Sequence, residues 1–141
     1  MSNSNEQGIY INGRQQIIEM LQFMNQNERK KLLDNIRMRN AVMARELSEQ
    51  SLSFYDLEKL PETLIGKIFS RTNAAIIGLS LYNAKTSFQK KVLSSLERET
   101  AIEAFQIMNQ NLSQKQNECK RAQEKIIQLA IALSRSQQIQ I

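Results

Sequence analysis

Apolar residues recur along this chain at intervals of three and four, in short runs broken by polar clusters, and almost nowhere alternate with polar neighbours. Because an α-helix turns every 3.6 residues, positions i, i+3, i+4 and i+7 share a face, so the pattern predicts a succession of short amphipathic helices. The first runs over about 14–24 with Ile17, Met20, Leu21 and Met24 as its stripe. A second, N-capped by Asn27, carries Leu32, Leu33 and Ile36, and a third over 41–50 carries Met43, Ala44 and Leu47. Further on, Leu64, Ile65 and Ile68 mark a helix over 62–70, and Thr72 or Asn73 caps a very apolar helix over 74–81, expected to be central and buried. Thr86 or Ser87 opens the next, with Phe88, Val92 and Leu93 inward. Ser94 with Glu97 and Ser113 with Gln116 have capping-box spacing. The first pair precedes a helix bearing Ala101, Ala104, Phe105 and Met108, and the second a helix with Cys119, Ala122, Ile126, Leu129 and Leu133 on one side.

The single proline, Pro61, divides this succession. Phe54, Leu57 and Leu60 give one short amphipathic turn before it. Proline disfavours helix at the residue ahead of it and presets φ for a new first turn, so one helix ends here and another begins. The stretch 52–61 therefore reads as a hinge, with Leu52, Phe54, Leu57 and Pro61 setting the pose of what lies on either side. Residues 1–12 read as a polar, flexible leader with Ile9 and Ile11 as docking points. Residues 13–51 read as an armadillo-like three-helix unit and 62–141 as a C-terminal helical domain. The expected fold class is all-α, an armadillo-like short-helix bundle in two subdomains joined by a hinge. One such three-helix unit cannot bury both its faces alone, which makes Met20, Met24, Leu33 and Met43 candidates for partner contact.

Composition narrows the function more than the fold. Hydrophobic residues make up 41% of the chain without any Trp, enough for Leu, Ile, Met and Ala to close a core of short helices. With no histidine and one cysteine, Cys119, the chain has no Cys/His zinc set, no Cys-His or Ser-His pair and no internal disulfide. Four scattered glycines form no phosphate-cradling loop. No catalytic, cofactor-binding or metal residues are expected, and the chain reads as no enzyme. The net charge of +5 is spread along the chain, as on a solvated surface. A basic helical nucleic-acid-binding domain using Arg29, Lys30, Lys31, Arg37 and Arg39 is the alternative reading. No apolar run approaches the roughly 20 residues of a membrane span, and the polar start is unlike a signal peptide. A reducing, cytoplasmic setting is therefore expected.

Several blocks then carry a resemblance. Ile18-Glu-Met-Leu21-Gln-Phe-Met24-Asn25 is similar to A-E-I-L-N-L-L-D of the bacterial flagellar motor switch protein FliG. Asn40-Ala-Val-Met-Ala44-Arg-Glu46-Leu47 stands where that family has D-P-E-L-A-E-E-I, and Leu52-Ser-Phe54-Tyr-Asp56-Leu57 where it has F-V-F-E-D-L. Asn83-Ala84 stands at its G-A, Val92-Leu93-Ser94 at I-L-S, and Ala122-Gln123-Glu-Lys125-Ile126 at A-Q-K-K-I. From about residue 13 to 141 the chain resembles the C-terminal armadillo-like and helical region of FliG.

The resemblance implies a rotor component without chemistry. It would meet other FliG-like or armadillo-like units, a second copy of itself included, bind the switch protein FliM at the cytoplasmic face of a flagellar motor, and face the stator through charges on one C-terminal helix. At those charges this sequence departs from the family. The family's lysine in A-L-K-G-A corresponds to Tyr82, its arginine in S-K-R-A-A to Glu99, and its acidic pair to Gln106 and Ile107. The M-F-x-F hinge becomes Ser51-Leu52-Ser53-Phe54, and the unit bearing E-H-P-Q has no counterpart. The expectation is a shortened, FliG-like assembly or regulatory module without normal torque charges.

Overall fold

The computed structural model describes the backbone of residues 3–136 and the side chains of residues 13–136. Every regular element among them is helical: α1 (Asn3–Phe23), α2 (Gln26–Arg39), α3 (Ala41–Gln50), a 3-10 helix (Phe54–Lys59), α4 (Glu62–Phe69), α5 (Ala74–Leu81), α6 (Thr86–Ser94), α7 (Arg98–Met108) and α8 (Gln116–Arg135). The chain divides into two compact units, Met1–Ser53 and Phe54–Ile141.

In the first unit α3 packs on both α1 and α2. Leu21, Leu33 and Leu47, one from each helix, form the buried centre, and Ile17, Ile18, Met24, Leu32, Ile36 and Met43 close around it. Polar ties hold the helices in register. Arg14 on α1 donates to Glu46 Oε2 of α3 at 2.7 Å and to Gln50 Oε1 at 3.3 Å, and Arg29 on α2 donates to the Ser48 carbonyl at 2.9 Å. Asn25, not Asn27, caps α2: its Oδ1 accepts from the Glu28 N–H, which starts that helix two residues early and puts Asn27 inside it. Asn40 ends α2 and caps α3 through the Met43 N–H. α1 takes in residues 3–12, which read as a leader. Their polar sequence contains no proline to stop a helix growing back from Arg14. The side chains of Ile9 and Ile11 lie outside the described ones.

The second unit is built on α5, which packs against α7 and α8. Its apolar sequence suits that place, since Ala74, Ile77, Gly78, Ser80 and Leu81 are all buried. Gly78 lets α7 approach closely: a Cβ there would lie 2.7 Å from the Ala104 carbonyl oxygen and 2.8 Å from Ile107 Cβ. Asn73 caps α5 through the Ile76 N–H. Phe54, from the 3-10 helix, makes edge-to-face contacts with Phe69 of α4 and Phe88 of α6 at centroid distances of 6.3 and 5.5 Å. Lys91 Nζ donates to the Glu58 and Leu60 carbonyls at 3.0 and 2.6 Å, satisfying the end of the 3-10 helix. Pro61 then stands at the N-cap of α4, and its carbonyl accepts from the Leu64 and Ile65 N–H groups.

Neither capping box forms. Ser94 lies in the last turn of α6, where its hydroxyl donates to the Lys91 carbonyl and to Glu62 Oε1, and Glu97 caps α7 without a side-chain bond. Ser113 spends its hydroxyl and its N–H on Asn111 Oδ1, and Gln116 Oε1 accepts from Asn83 Nδ2. In both cases a competing local partner takes the hydroxyl before the helix starts. α8 buries Cys119, Ala122, Ile126, Ala130, Ile131 and Leu133 within its own unit, while Leu129 is half-buried.

Candidate functional site

The residues assigned to the hinge occupy different surroundings. Leu52 is half-buried just before the division between the units, Phe54 and Leu57 are buried in the second unit's core, and Pro61 is exposed at the start of α4.

On the first unit an open groove of about 540 Å³ is lined by Gln16, Glu19, Met20, Phe23 and Met24 of α1 and Glu28 of α2. Gln16, Glu19, Met20 and Phe23 follow the i, i+3, i+4, i+7 spacing, so they form a face of α1 beside the one that enters the core. Asn25 starts α2 directly after α1 and so places Glu28, in its first turn, on the groove wall. Of the four residues expected to meet a partner, Met20 is half-exposed in the groove and Met24 joins groove to core. Met43 packs against the core from outside it. Leu33 is 6% exposed and is a core residue: three helices, not two, close over it through Leu21 and Leu47. The residue missed is Phe23, 91% exposed. A large aromatic one step off the apolar stripe was the available signal.

A second surface lies on α7. Arg98, Glu99, Gln106 and Asn109 are exposed, and so is Phe105, at 48%, with Ile102 beside it. Phe105 was one of four apolar residues read on this helix, with Ala101, Ala104 and Met108. Ala104 and Ile107 make the contact with α5 at Gly78, which turns the intervening Phe105 outward. Ile107 is thus half-buried against α5, and Tyr82 is half-buried at the C-cap of α5. Glu99 and Gln106, seven residues apart, share an exposed face of α7 with Glu103.

Two of the five basic residues considered for nucleic acid are engaged within their own unit. Arg29 holds the Ser48 carbonyl, and Arg37 pairs with Asp34 at 2.6 Å, while Lys30, Lys31 and Arg39 are exposed. Among the described residues no group of His, Cys, Asp and Glu is arranged to hold a metal, and no helix is long and apolar enough to cross a membrane. Burial, with the neighbouring Glu118 carboxylate second, raises the Cys119 thiol above its ordinary pKa and leaves it a poor nucleophile.

Residues 34–141 match the family described as FliG C-terminal domain. A crystal structure of H. pylori FliG (residues 116–343 of that protein) superposes with a TM-score of 0.72 at 22% identity, covering 88% of this chain and 55% of that one. A longer H. pylori FliG structure (residues 86–343) gives 0.60 at 22% identity, over 89% of this chain and 59% of that one. Full-length FliG from Aquifex aeolicus gives 0.57 at 20%, over 86% and 38%. This chain thus spans between about two fifths and three fifths of the length of these structures. No curated protein matches it. With more than half its length matched and the same all-helical architecture, the chain belongs to the FliG C-terminal domain family.

Proposed function

We propose that this protein is a non-catalytic component of a flagellar motor switch or rotor assembly, or a regulator of one, acting through protein–protein contacts at the cytoplasmic face of the motor. The observation that carries the reading is the open groove on α1, where an almost fully exposed Phe23 stands beside Met20 and Met24. Contiguous exposed apolar surface of this kind marks a contact site, and methionine side chains adapt to a partner's shape. The partners proposed for it are an armadillo-like unit of a FliG, the chain itself included, and FliM. Leu52, Phe54, Leu57 and Pro61 would then set how the partner-bound unit and the rest of the chain are posed.

The same proposal holds that normal stator torque charges are missing. α7 exposes Arg98, Glu99 and Glu103, but Glu99 stands where the resemblance has arginine, Gln106 and Ile107 where it has acids and Tyr82 where it has lysine, so the family's pattern of charges for steering an ionic contact is not reproduced. Titrating the purified chain against a FliG armadillo-like unit and against FliM by calorimetry tests the contact reading. Saturable binding to one of them, weakened at least tenfold by Phe23→Ser, is expected. No binding to either, or binding indifferent to Phe23, would overturn the groove's role.

A further inference from the structure

The turn from α2 to α3 carries a second apolar patch, distinct from the groove. Met38, in the last turn of α2, is 86% exposed, and Val42, in the first turn of α3, is 67% exposed, while Ile36 and Met43 beside them close on the core. Every residue over 37–42 is exposed, so this turn protrudes from its own unit. It is nonetheless held firmly. The Asn40 N–H donates to the Ile36 carbonyl at 2.8 Å, the Asn40 Oδ1 accepts from the Met43 N–H at 3.0 Å, and the Asn40 carbonyl accepts from the Ala44 N–H at 3.1 Å.

The free charge around this tip has one sign. Lys31 lies two turns before Met38 on the same face of α2, Arg39 follows Met38, and Arg45 lies one turn beyond Val42 on α3. All three are exposed, and none has an ion-pair partner among the described residues. The acids on the same faces are engaged: Asp34, one turn before Met38, pairs with Arg37 at 2.6 Å, and Glu46, one turn beyond Val42, pairs with Arg14 at 2.7 Å. A nucleic acid would satisfy the cations but leave Met38 and Val42 against phosphate and water, and a folded protein would need a pocket already shaped to a convex tip. An anionic bilayer takes both parts without a preformed pocket, since its headgroups attract the cations and its deformable interface admits apolar side chains. We infer that this turn docks on the surface of a bilayer rich in anionic lipid. Met38 and Val42 enter the boundary between headgroups and acyl chains, and Lys31, Arg39 and Arg45 stay at the level of the lipid phosphates.

The inference goes beyond the protein contacts proposed above and shares no residue with the groove. Cosedimentation of the full chain with vesicles of equal parts phosphatidylserine and phosphatidylcholine tests it. Binding should be saturable, and at least about tenfold stronger than to phosphatidylcholine alone. It should fall when salt is raised from about 0.1 M to about 1 M, since the screening length shrinks from about 10 Å to about 3 Å. Each basic side chain near an anionic surface is worth roughly fivefold in affinity, so Arg39→Gln with Arg45→Gln should weaken binding at least about tenfold. Phe23→Ser should leave vesicle binding unchanged while abolishing groove binding, so the two readings fail on different variants.

Fluorescence separates insertion from adsorption. The chain contains no tryptophan, so Met38→Trp places a single indole at the tip. Its emission should shift to the blue on the anionic vesicles and be quenched by lipids brominated on their acyl chains. Gln128→Trp, at an exposed position of α8, should show neither effect. Met38→Ser with Val42→Ser should weaken vesicle binding although every charge is kept. No binding to the anionic vesicles, binding indifferent to the arginine pair or to the apolar pair, or emission that responds alike at positions 38 and 128 would each overturn the inference. So would binding to a DNA duplex that is stronger than to the vesicles and indifferent to the apolar pair, which would assign the turn to nucleic acid. All the substituted residues of this turn are exposed, and helical circular dichroism should stay at the wild-type level.

Discussion

Replacing Phe54 with alanine should cost the second unit much of its stability. The ring is 3% exposed and sits edge-on to both Phe69 and Phe88, which are themselves 6.2 Å apart, so three aromatic rings form one closed cluster. Truncating a buried phenylalanine costs about 3–5 kcal/mol, of which each edge-to-face pair supplies roughly 0.5–1.5 kcal/mol beyond area burial. The cavity opens where the 3-10 helix meets α4 and α6, and the only other apolar anchor of that short helix is Leu57. In a unit of this size about 1 kcal/mol moves Tm by roughly 4–8 °C, so a fall of at least about 12 °C is expected. Thermal unfolding followed at 222 nm gives the shift, and hydrogen exchange should show faster opening in peptides spanning α4 and α6. Phe54→Leu, which refills most of the volume but removes both ring contacts, should cost about 1–3 kcal/mol. A drop below about 5 °C for the alanine variant would refute the closed aromatic cluster as the anchor of this segment.

Gly78→Ala forces a methyl against the Ala104 carbonyl and Ile107, and because backbone must move the cost should be about 1–3 kcal/mol, measured by urea unfolding. Lys91→Met keeps the aliphatic stem but strands two carbonyls at the end of the 3-10 helix. A loss of about 1–3 kcal/mol is expected, where an unchanged midpoint would mean that water replaces the ammonium. Cys119 should react with iodoacetamide far more slowly than a free thiol, and its rate should keep rising with pH above the range where a free thiol levels off. Because its folded pKa is raised, the unfolded thiol ionises first. The Cys119 contribution to stability is complete below the ordinary thiol pKa and declines as pH rises from there towards the folded value, which Cys119→Ala should abolish.

How far the sequence could be read depended on whether one helix face or a tertiary neighbour decided the outcome. The stripe Ile17, Leu21 and Met24, the apolar run of α5 and the α8 face from Cys119 to Leu133 could be read because each is set by 3.6-residue spacing alone. Helix starts depended on which polar side chain won a given N–H. Asn73 was legible, as one of two candidates with Thr72, because it stands directly before an apolar helix, whereas Asn40 was not singled out, Asn25 competed with Asn27, and Ser94 was claimed by Glu62 from another helix. The candidate surfaces were least legible. Phe105 and Ile107 are both apolar and two residues apart, and only the close approach of α7 to Gly78 decides that Ile107 turns in and Phe105 out. Likewise, the spacing of α2 put Leu33 on its apolar stripe with Leu32 and Ile36, but only the packing of α1 and α3 decides that Leu33 is buried within its own unit and not left for a partner.

The central claim, that this is a FliG-family assembly module without working torque charges, is tested most directly by rotation. The C-terminal helical segment of this chain is exchanged for the corresponding domain of a FliG in a motile cell, and the torque of single tethered motors is measured. The account predicts motors that assemble but turn with little or no torque, and recovery only when lysine replaces Tyr82, arginine replaces Glu99 and acids replace Gln106 and Ile107. Normal torque from the unaltered segment would contradict it.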